Sequence, residues 1–515
     1  MLIALSTAIL TLLTRGAARV QRGISMVGVL GYGLAVAVLA IAVFPDAILT
    51  YQLGNWPAPF GITLVADSLS VFMLGLAAAV AVPALVFSIR FVDEFGQRVS
   101  YHPLFHFMLV GVSGAFLTGD IFNLFVWFEV MLMSTYVLVV FYSGPEHTRA
   151  ALNYVVLNLV GSAVMLLAIG GIYASTGTLN MADLARRLGD PARFGIDPAP
   201  VLGLSALLFA VFALKAGLVP FQFWVPDAYR AAPAPVTAML AGVVKKVGLY
   251  AIVRLYFGIF AAASLPVSLP GIGGQSFLAF YGPVLLVMAG ASILFGGGAA
   301  IGRDDLEGVL AYSSIGQIGF IVLPLAVAAT VPSLRQVAIL AALVYALNHA
   351  LAKGLLFLVA GTVQDATGST DLHAVSGLSR VAPVTTGAFL IGGLALVGIP
   401  PLSGFFGKLF VFRVAIDGGS VVALALALFG AILTIAYVSR TWNRGFWGEP
   451  TDFVASIEPD ATEVAALVVL SLAVVLVGVG FDPIFQAASA ASHAALDRAA
   501  YVDAVNLTPL GGAHS

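Results

Sequence analysis

Residues 205–235 read SALLFAVFALKAGLVPFQFWVPDAYRAAPAP. The run before the prolines is apolar enough to cross a bilayer as a helix, yet it contains Lys215, and Pro220 and Pro226 follow it. Proline removes a backbone donor and clashes with the preceding turn, so this helix is predicted to be broken beside its lysine. Broken helices occur within membranes only where the freed backbone groups are buried in protein or line a cavity. The stretch therefore predicts a helical membrane protein with a broken, charged helix inside it.

The composition of the whole chain also predicts an all-α polytopic membrane protein. Of the 515 residues, 60% are hydrophobic and 9% are charged, whereas soluble domains have about 25% charged residues. Apolar runs of suitable length predict fourteen transmembrane helices. The predicted spans are 1–19, 24–44, 66–90, 104–119, 121–142, 151–174, 199–220, 234–260, 280–301, 307–329, 335–361, 383–413, 419–439 and 462–480. The first run has arginines only at its far end, which favours a retained helix over a cleaved signal peptide.

The distribution of arginine predicts the orientation of these spans. The odd-numbered loops between them carry eleven arginines and the opposite side carries seven. Because cytoplasmic loops are enriched in basic residues, both termini are expected outside. Arg186, Arg187 and Arg193 share one longer loop on the outer side, for which we expect a short amphipathic helix.

A second broken segment predicts that the chain is built from two repeats. Residues 394–412 read LALVGIPPLSGFFGKLFVF, where Pro400 and Pro401 precede Lys408. Matched broken helices in two halves are typical of transporters with inverted repeats. The two broken helices are spans seven and twelve, and a unit of five helices must flip its orientation when it repeats. We therefore expect an N-terminal three-helix region (1–100), two five-helix repeats (101–262 and 278–445), and a C-terminal helix with a tail (446–515).

The five lysines of the chain all lie inside predicted spans, whereas nearly all of the eighteen arginines lie in loops or at span ends. A charge at the centre of a bilayer costs about 2.5–3.5 kcal/mol, so it is rarely retained without a use. A desolvated lysine can lose its proton, whereas an arginine effectively cannot. This distribution predicts a protein that moves protons.

The lysines of the first half are expected to interact with a membrane carboxylate. Glu129 is the natural partner of Lys215 in the first repeat, and this pair could either control the proton on the lysine or simply fix helix packing. Lys245 and Lys246 are adjacent, so their side chains point about 100° apart on a helix. We expect only one of them, Lys246, to face the polar interior, with Lys245 as an accessory residue.

The second half carries a corresponding set of candidates. His349 and Lys353 are four residues apart and therefore share one helix face, with Asn348 beside them. The histidine could relay a proton or could only donate to a neighbouring carbonyl. Lys408 is expected to mirror Lys215. Three polar residues of the run LAYSSIGQIGF could bridge the lysines through water or could join helices by hydrogen bonds. They are Ser313, Ser314 and Gln317.

These residues are predicted to form one row at mid-membrane depth, from Glu129 to Lys408. Protonation of one lysine would disfavour protonation of the next, so a proton or a charge displacement could pass along the row. The sequence has no cysteine, no P-loop and no HExxH pattern, and its net charge is -2. It therefore predicts no cofactor, no metal site, no ATP-driven step and no nucleic-acid partner.

Several of these motifs together resemble one known family. The stretches TGDIFNLFVWFEVMLMSTYVLVV (118–140), LAYSSIGQIGF (310–320), NHALAKGLLFL (348–358) and GIPPLSGFFGKL (398–409) resemble the antiporter-like subunits shared by Mrp-type antiporters and respiratory complex I. The first of them is most similar to the D-type branch of the Mrp-type multisubunit Na+/H+ antiporter proteins. The resemblance implies fourteen helices with two inverted five-helix repeats, and proton movement within a hetero-oligomer.

The resemblance also assigns site residues position by position. The family's membrane glutamate falls on Glu129, its broken-helix lysines on Lys215 and Lys408, and the lysine of its K-V-G-x-Y pattern on Lys246. The histidine and lysine of its HALAK motif fall on His349 and Lys353. Gln317 stands where complex I relatives often have histidine, and Lys408 where some members have glutamate, which argues against one complex I branch.

Three functions remain open on the sequence. The first is a proton-translocating subunit of a monovalent cation (Na+)/H+ antiporter in the prokaryotic cytoplasmic membrane, with other membrane subunits and the lipid bilayer as partners. The second is a proton-pumping subunit of an NADH–quinone oxidoreductase-like or hydrogenase complex. The third is a structural scaffold subunit. In the first case a sodium path is expected outside this subunit or at an interface, since the ranked residues offer no cluster of hard oxygen ligands.

Overall fold

The structure is a computed structural model that describes residues 1–264, 276–454 and 459–507. Its single sheet in these ranges is an antiparallel hairpin of β1 (Leu49–Gln52) and β2 (Thr63–Ala66). Eleven helices of the described ranges are long and apolar enough to cross a membrane, and two more apolar helices are shorter. The chain is therefore a helical polytopic membrane protein, as predicted.

The helices follow one another along the chain in four groups. The N-terminal group contains α1 (Leu2–Leu13), α2 (Ala18–Val43), α3 (Ser68–Phe91) and α4 (Glu94–Gly96). The second contains α5 (His102–Leu117), α6 (Ile121–Val139), α7 (Pro145–Thr176), α8 (Met181–Gly189), α9 (Pro198–Ala216), α10 (Trp224–Ala231), α11 (Ala234–Met239) and α12 (Lys245–Ala251). The third contains α13 (Tyr281–Ile301), α14 (Leu306–Thr330), α15 (Arg335–Thr367), α16 (Leu378–Val381), α17 (Pro383–Val397), α18 (Ser403–Asp417) and α19 (Val421–Thr441). The last contains α20 (Ala461–Val479), α21 (Phe481–Leu496) and α22 (Arg498–Val505).

Irregular helical turns extend or connect these elements. π-helical segments occupy Gln97–Tyr101, Leu240–Val244, Ile252–Ile259 and Trp442–Phe446. 3-10 turns occupy Leu53–Asn55, Phe260–Ala262, Phe277–Phe280 and Pro332–Leu334. Residues 234–260 are buried throughout, and α15 is buried from Ala338 to Val363, so these two segments lie at the centre of the bundle.

Each of the fourteen predicted spans overlaps a helix in the described ranges. The spans divided only by Gly119 and Asp120 are separate helices, because the Asp120 carboxylate accepts from the backbone N–H of Asn123 and caps α6. The arginine-bearing loop contains the expected short helix, α8. In the region predicted as a C-terminal helix with a tail, two further helices, α21 and α22, follow α20, and small side chains pack α21 against the bundle.

The two predicted helix breaks have the same local structure. α9 ends at Gly217 and α17 at Gly398, both in the left-handed region with φ of 70° and 90°, which glycine adopts without steric cost. Pro220 and Pro401 each follow their glycine by three residues, and helix resumes at α10 and α18. Pro400 also lies within its break.

Pro226 does not break a helix, contrary to the prediction. It is the third residue of α10. A proline is tolerated in the first turn because the N–H groups there have no partner within the helix.

Loops in the two halves also share local contacts. Asp305 caps α14 by accepting from the N–H of Gly308 at 2.6 Å, as Asp120 caps α6. Each of these aspartates pairs in a short antiparallel bridge with a residue four positions after the end of a long helix: Asp120 with Asn180, and Asp305 with Asp371. The long helices, α7 and α15, both end at a glycine with φ near 70°.

Ion pairs cluster at one end of the bundle, which we call the arginine-rich end. Helices α3, α10 and α15 end there. Helices α14, α17 and α20 begin there. Arg90 pairs with Asp460 at 3.0 Å, and Arg440 with Asp304 at 2.5 Å. The hydrogen bond from Arg440 holds the pKa of the Asp304 carboxyl below its usual value. This end corresponds to the side predicted to be cytoplasmic.

Candidate functional site

All five lysines are buried in the bundle. Lys245, Lys246 and Lys353 are 0% exposed, Lys215 is 2% exposed and Lys408 is 4% exposed. A buried ammonium group must find hydrogen-bond acceptors, because losing water costs several kcal/mol per ion. The partners of each lysine therefore define the polar interior of the protein.

Helix α7 stands between Glu129 and Lys215. The Lys215 ammonium donates to the Tyr154 hydroxyl at 3.2 Å, and the Ser162 hydroxyl donates to the Glu129 carboxylate. Tyr154, Asn158 and Ser162 are spaced by four residues, so they lie on one face of α7. Among the described residues, Glu129 and Lys215 form no ion pair within 4.0 Å. Each of the two expected partners instead contacts a side chain of α7.

Lys245 and Lys246 both reach the polar interior. Lys246 Nζ lies 2.6 Å from His349 Nδ1 and donates to the Ala241 carbonyl. Lys245 Nζ donates to the carbonyl and hydroxyl oxygens of Ser314, at 3.2 and 3.3 Å. The expectation that only one of the two would face this interior was wrong. The polar partners of the two lysines lie on two different helices. Lys245 contacts α14 and Lys246 contacts α15, so side chains that point about 100° apart can both reach polar groups.

Lys245 also lies beside the break between α9 and α10. A Cβ atom on Gly217 would be 3.1 Å from Lys245 Cε and 3.3 Å from its Nζ. This residue, ranked as accessory from the sequence, therefore touches the broken helix of the first half and Ser314 of the second. The angular spacing of residues on a helix could not predict the contact of Lys245 with Ser314, because it depends on where α14 packs in the fold.

His349 and Lys353 both point from α15 toward α14. The Nε2 atom of His349 is 3.4 Å from the Ser314 hydroxyl. Lys353 donates to the Ser313 hydroxyl at 2.5 Å and to the Leu310 carbonyl at 2.9 Å. The two predicted accessory serines thus hold neighbouring members of the row.

Gln317 joins three helices beyond the histidine. Its amide nitrogen donates to Tyr437 at 2.7 Å and to Thr434 at 3.1 Å, both on α19. Its amide oxygen accepts from the Tyr345 hydroxyl of α15. Gln317 therefore continues the polar interior toward α19.

Lys408 and Asn348 lie at the second break. Lys408 donates to the Val397 carbonyl at 3.1 Å, and its ammonium is 4.8 Å from the centre of the Phe320 ring. Asn348 donates to Ala395 O on one side of the break and accepts from Ser403 on the other. Lys408 follows its break whereas Lys215 precedes its own, so the two lysines do not occupy mirrored sequence positions.

Residue positions can be counted from features that both halves share, and the counts show how the site residues of the two halves differ. Tyr154 and Tyr345 lie equally far from the glycines that end α7 and α15, and so do Ser162 and Lys353. Glu129 and Ser314 lie equally far from the aspartates that cap α6 and α14. In the first half, the Glu129 carboxylate thus contacts a serine of α7. At the corresponding place in the second half, serines of α14 lie beside Lys353 of α15.

Two important groups were not ranked from the sequence. Tyr154 was not singled out, although its four-residue spacing from Asn158 could have indicated it. Arg254 forms an ion pair with Asp67 at 2.7 Å, and the two side chains are 3% and 1% exposed. Asp67 lies before α3 and far away in sequence, so no local pattern indicates the pair.

The site as a whole is a set of buried and half-buried titratable and hydroxyl-bearing side chains on helices from α6 to α18, with hydrogen bonds around Lys215, around the three central lysines and around Lys408. Its members exchange hydrogen bonds within helices and between the two halves. Such an arrangement can carry protons between neighbouring groups, and it defines a class of membrane protein that translocates ions.

Comparison with known proteins identifies this class more narrowly. The family described as NADH:quinone oxidoreductase/Mrp antiporter, TM, matches residues 118–434. The chain is 37% identical over 488 residues to the D component of the Na(+)/H(+) antiporter of Alkalihalophilus pseudofirmus, and the match covers 94% of each chain. It is 37% identical over 403 residues to the N component of the NADH-quinone oxidoreductase of Desulforudis audaxviator, covering 77% of this chain and 75% of that one.

A solved structure agrees with these matches. A chain of the Mrp complex from Dietzia sp. DQ12-45-1b superposes with a TM-score of 0.84 at 26% identity, covering 98% of this chain and all of that one. The chain belongs to the NADH:quinone oxidoreductase/Mrp antiporter transmembrane family, as the resemblance of its motifs predicted.

Proposed function

We propose that this chain is the proton-translocating subunit of a multisubunit Na+/H+ antiporter. The match to the D component of such an antiporter along 94% of both chains supports this function over an enzymatic one. The chain would work in a prokaryotic plasma membrane together with other membrane subunits, and inward proton flow would be coupled to Na+ leaving the cell.

The observation that carries the proton path is the contact of Lys246 with His349 and of Lys245 with Ser314. These contacts join the lysines of the first half to the histidine of the second. The proposed order is Glu129, Lys215, Lys245 and Lys246, His349 and Lys353, then Lys408. Tyr154 and Ser162 would connect the first two, and the serines of α14 the central ones.

We further propose that the fold contains fourteen transmembrane helices and two inverted repeats, at 101–262 and 278–445. The matched breaks, the matched aspartate bridges and the equal positions of Tyr154 and Tyr345 support a common unit. Five helices per unit reverse its orientation in the membrane. Residues 1–100 and 446–507 would then pack as flanking helices.

A second candidate is a proton-pumping subunit of a redox-driven complex. The match to the N component of an NADH-quinone oxidoreductase favours it. The two candidates differ in their partner subunits, so purification of the native complex distinguishes them. Flavin and iron–sulfur absorbance in that complex would identify the redox-driven assembly.

The proton path is tested with Lys215→Ala in the complete complex, in inverted membrane vesicles. We expect Na+-dependent proton transport to be lost while a native gel still shows the assembled complex. The matched control is Arg413→Ala, because this arginine is 63% exposed and its one ion pair among the described residues is with Asp417, one turn away.

Normal transport by the Lys215 variant would overturn the proposed path. Loss of assembly in the Lys215 variant but not in the Arg413 control would indicate the scaffold function instead. A surface ion pair contributes at most about 1 kcal/mol, so the control itself should behave as wild type.

A further inference from the structure

Glu463, in the first turn of α20, is a buried carboxylate outside the lysine row. It is 1% exposed, and among the residues that the structure describes neither of its carboxyl oxygens has a hydrogen-bond partner. Burial of an unpaired carboxylate is costly enough that such groups usually bind a cation or take up a proton. The position therefore calls for a ligand.

Other buried oxygens without partners lie on the helices around it. They are the hydroxyls of Thr362 on α15, Thr385 and Thr386 on α17, and Ser471 on α20, all at most 8% exposed. Again this holds for the described ranges of the chain. Unsatisfied buried polar atoms are few in native proteins, so their concentration on three helices is informative.

Packing contacts place Glu463, Thr362, Thr385 and Thr386 at about one level, whereas Ser471 lies next to the contact of Leu470 itself. A Cβ on Gly354 of α15 would lie 3.9 Å from Leu470 of α20, and one on Gly392 of α17 would lie 2.8 Å from Leu356 of α15. α15 runs toward the arginine-rich end, whereas α17 and α20 start there. Glu463 and Thr385 are each seven residues from these contacts, and so is the turn of α15 that holds Thr362. Seven residues correspond to about 10 Å along a helix.

The charges around Glu463 leave it without a cationic partner in the described residues. Asp365 of α15, Asp460 and Arg90 are the charged groups that act on its carboxyl, and the Thr362 hydroxyl is close enough to act on it as well. Arg90 is engaged with Asp460 and is 68% exposed. A second carboxylate nearby makes an unpaired negative charge less favourable still.

We propose that Glu463 and Thr362, with the neighbouring threonines, form a binding site for one Na+, which competes there with a proton. The inference rests on the proposed function, since it places a cation site within the proton-translocating subunit. Carboxylate and hydroxyl oxygens are the hard ligands that such cations prefer. A proton and a Na+ cannot occupy the same carboxyl oxygens together, so each ion displaces the other.

This site differs from the lysine row in its chemistry. The row consists of lysine ammonium groups and the groups that accept their hydrogen bonds, with Glu129 as its one carboxylate. The ammonium groups repel a cation. Glu463 lies at the arginine-rich end, predicted to face the cytoplasm, where Na+ would be taken up. The expectation that a sodium path lies outside this subunit would then be wrong.

The site is tested in the intact complex with Glu463→Gln and Thr362→Val. We expect the half-saturating Na+ concentration for transport to rise at least about tenfold, as when partners of a metal ligand are lost. The control is Glu449→Gln, because Glu449 is at the same end and is 78% exposed. A second measurement is the infrared difference spectrum between Na+ and choline at fixed pH. The carboxyl band displaced by Na+ should be absent from the Glu463 variant.

An unchanged Na+ dependence and an unchanged spectrum in Glu463→Gln would overturn the site. If Lys215→Ala abolishes transport in the same assay, the proposed function survives that result. If neither variant changes transport, both proposals fall. Should Glu463→Gln fail to assemble, Thr362→Val, which replaces the hydroxyl by a methyl group of similar size, decides the question by the same two measurements.

Discussion

The Tyr154 hydroxyl accepts from the Lys215 ammonium and lies 3.0 Å from the Thr135 hydroxyl. Its ring packs between those of Trp224 and Tyr136, with centroids 5.0 and 5.3 Å away. The side chain is therefore held from both sides while its hydroxyl faces the lysine. It acts as a positioning residue for Lys215.

Replacement of Tyr154 by phenylalanine should slow proton transport without preventing assembly. Leaving a buried donor unsatisfied costs about 1–3 kcal/mol, and each 1.4 kcal/mol corresponds to a factor of about ten in rate. We expect the rate to fall about tenfold, with the pH at which it is half-maximal displaced because the lysine's environment has changed. The measurement is Na+-driven proton movement in vesicles across a range of pH.

Tyr136→Phe is the matched control for this experiment. Its hydroxyl is buried and has no partner in the described part of the chain. Its removal therefore should leave both rate and pH profile close to wild type. Equal effects of the two substitutions would show that packing of the rings, and not the hydrogen bond to Lys215, matters.

At the scale of helices, the left-handed glycine before each break sets the position of a lysine. Gly217→Ala should reduce transport strongly. A side chain there adopts a strained backbone conformation, at about 1–2 kcal/mol, and its Cβ would also be 2.8 Å from Val225 Cγ2 and 3.3 Å from Lys245 Nζ. Thermal stability and transport, measured on the same preparation, separate the two effects.

Gly195→Ala provides the comparison. Its φ is also positive, at 64°, but no atom lies within 4 Å of the added Cβ. Both variants would therefore have a strained backbone, but only Gly217→Ala would place a new atom close to Lys245. If the two variants lose equal activity, backbone strain alone explains the effect and the contact with Lys245 is unimportant.

The helices were largely predictable because lipid demands long apolar runs, and a proline close to a lysine within such a run marks a break. Local spacing decides such features, so the sequence alone indicates them. Pro226 was misassigned because a proline's effect depends on where the next helix begins. The partners of Lys245 and the Arg254–Asp67 pair depend on helix packing across the chain, which no local pattern contains.

At the scale of the whole molecule, the two halves share a close contact between corresponding pairs of helices. A Cβ on Gly111 of α5 would collide with the Met131 backbone nitrogen of α6, and one on Gly296 of α13 would collide with that of Gly316 of α14. Both glycines permit the first two helices of their unit to touch backbone to backbone.

Alanine at either position should therefore destabilise the protein by a similar amount. Overpacking costs typically about 1–3 kcal/mol, and we expect both variants to show lower apparent melting temperatures in detergent. Gly298→Ala, on α13 with nothing within 4 Å of its Cβ, should leave stability unchanged or slightly raised. Loss of stability in only one of the two halves would argue against a common unit.

The matched ends of α7 and α15 restrict how this protein can evolve. Each helix is stopped by a glycine and followed by a bridge to an aspartate. A single inserted residue would turn everything beyond it by about 100°, and would carry Tyr154 or His349 away from its partner. We therefore expect these helices to have diverged by substitution at constant length, with insertions confined to loops.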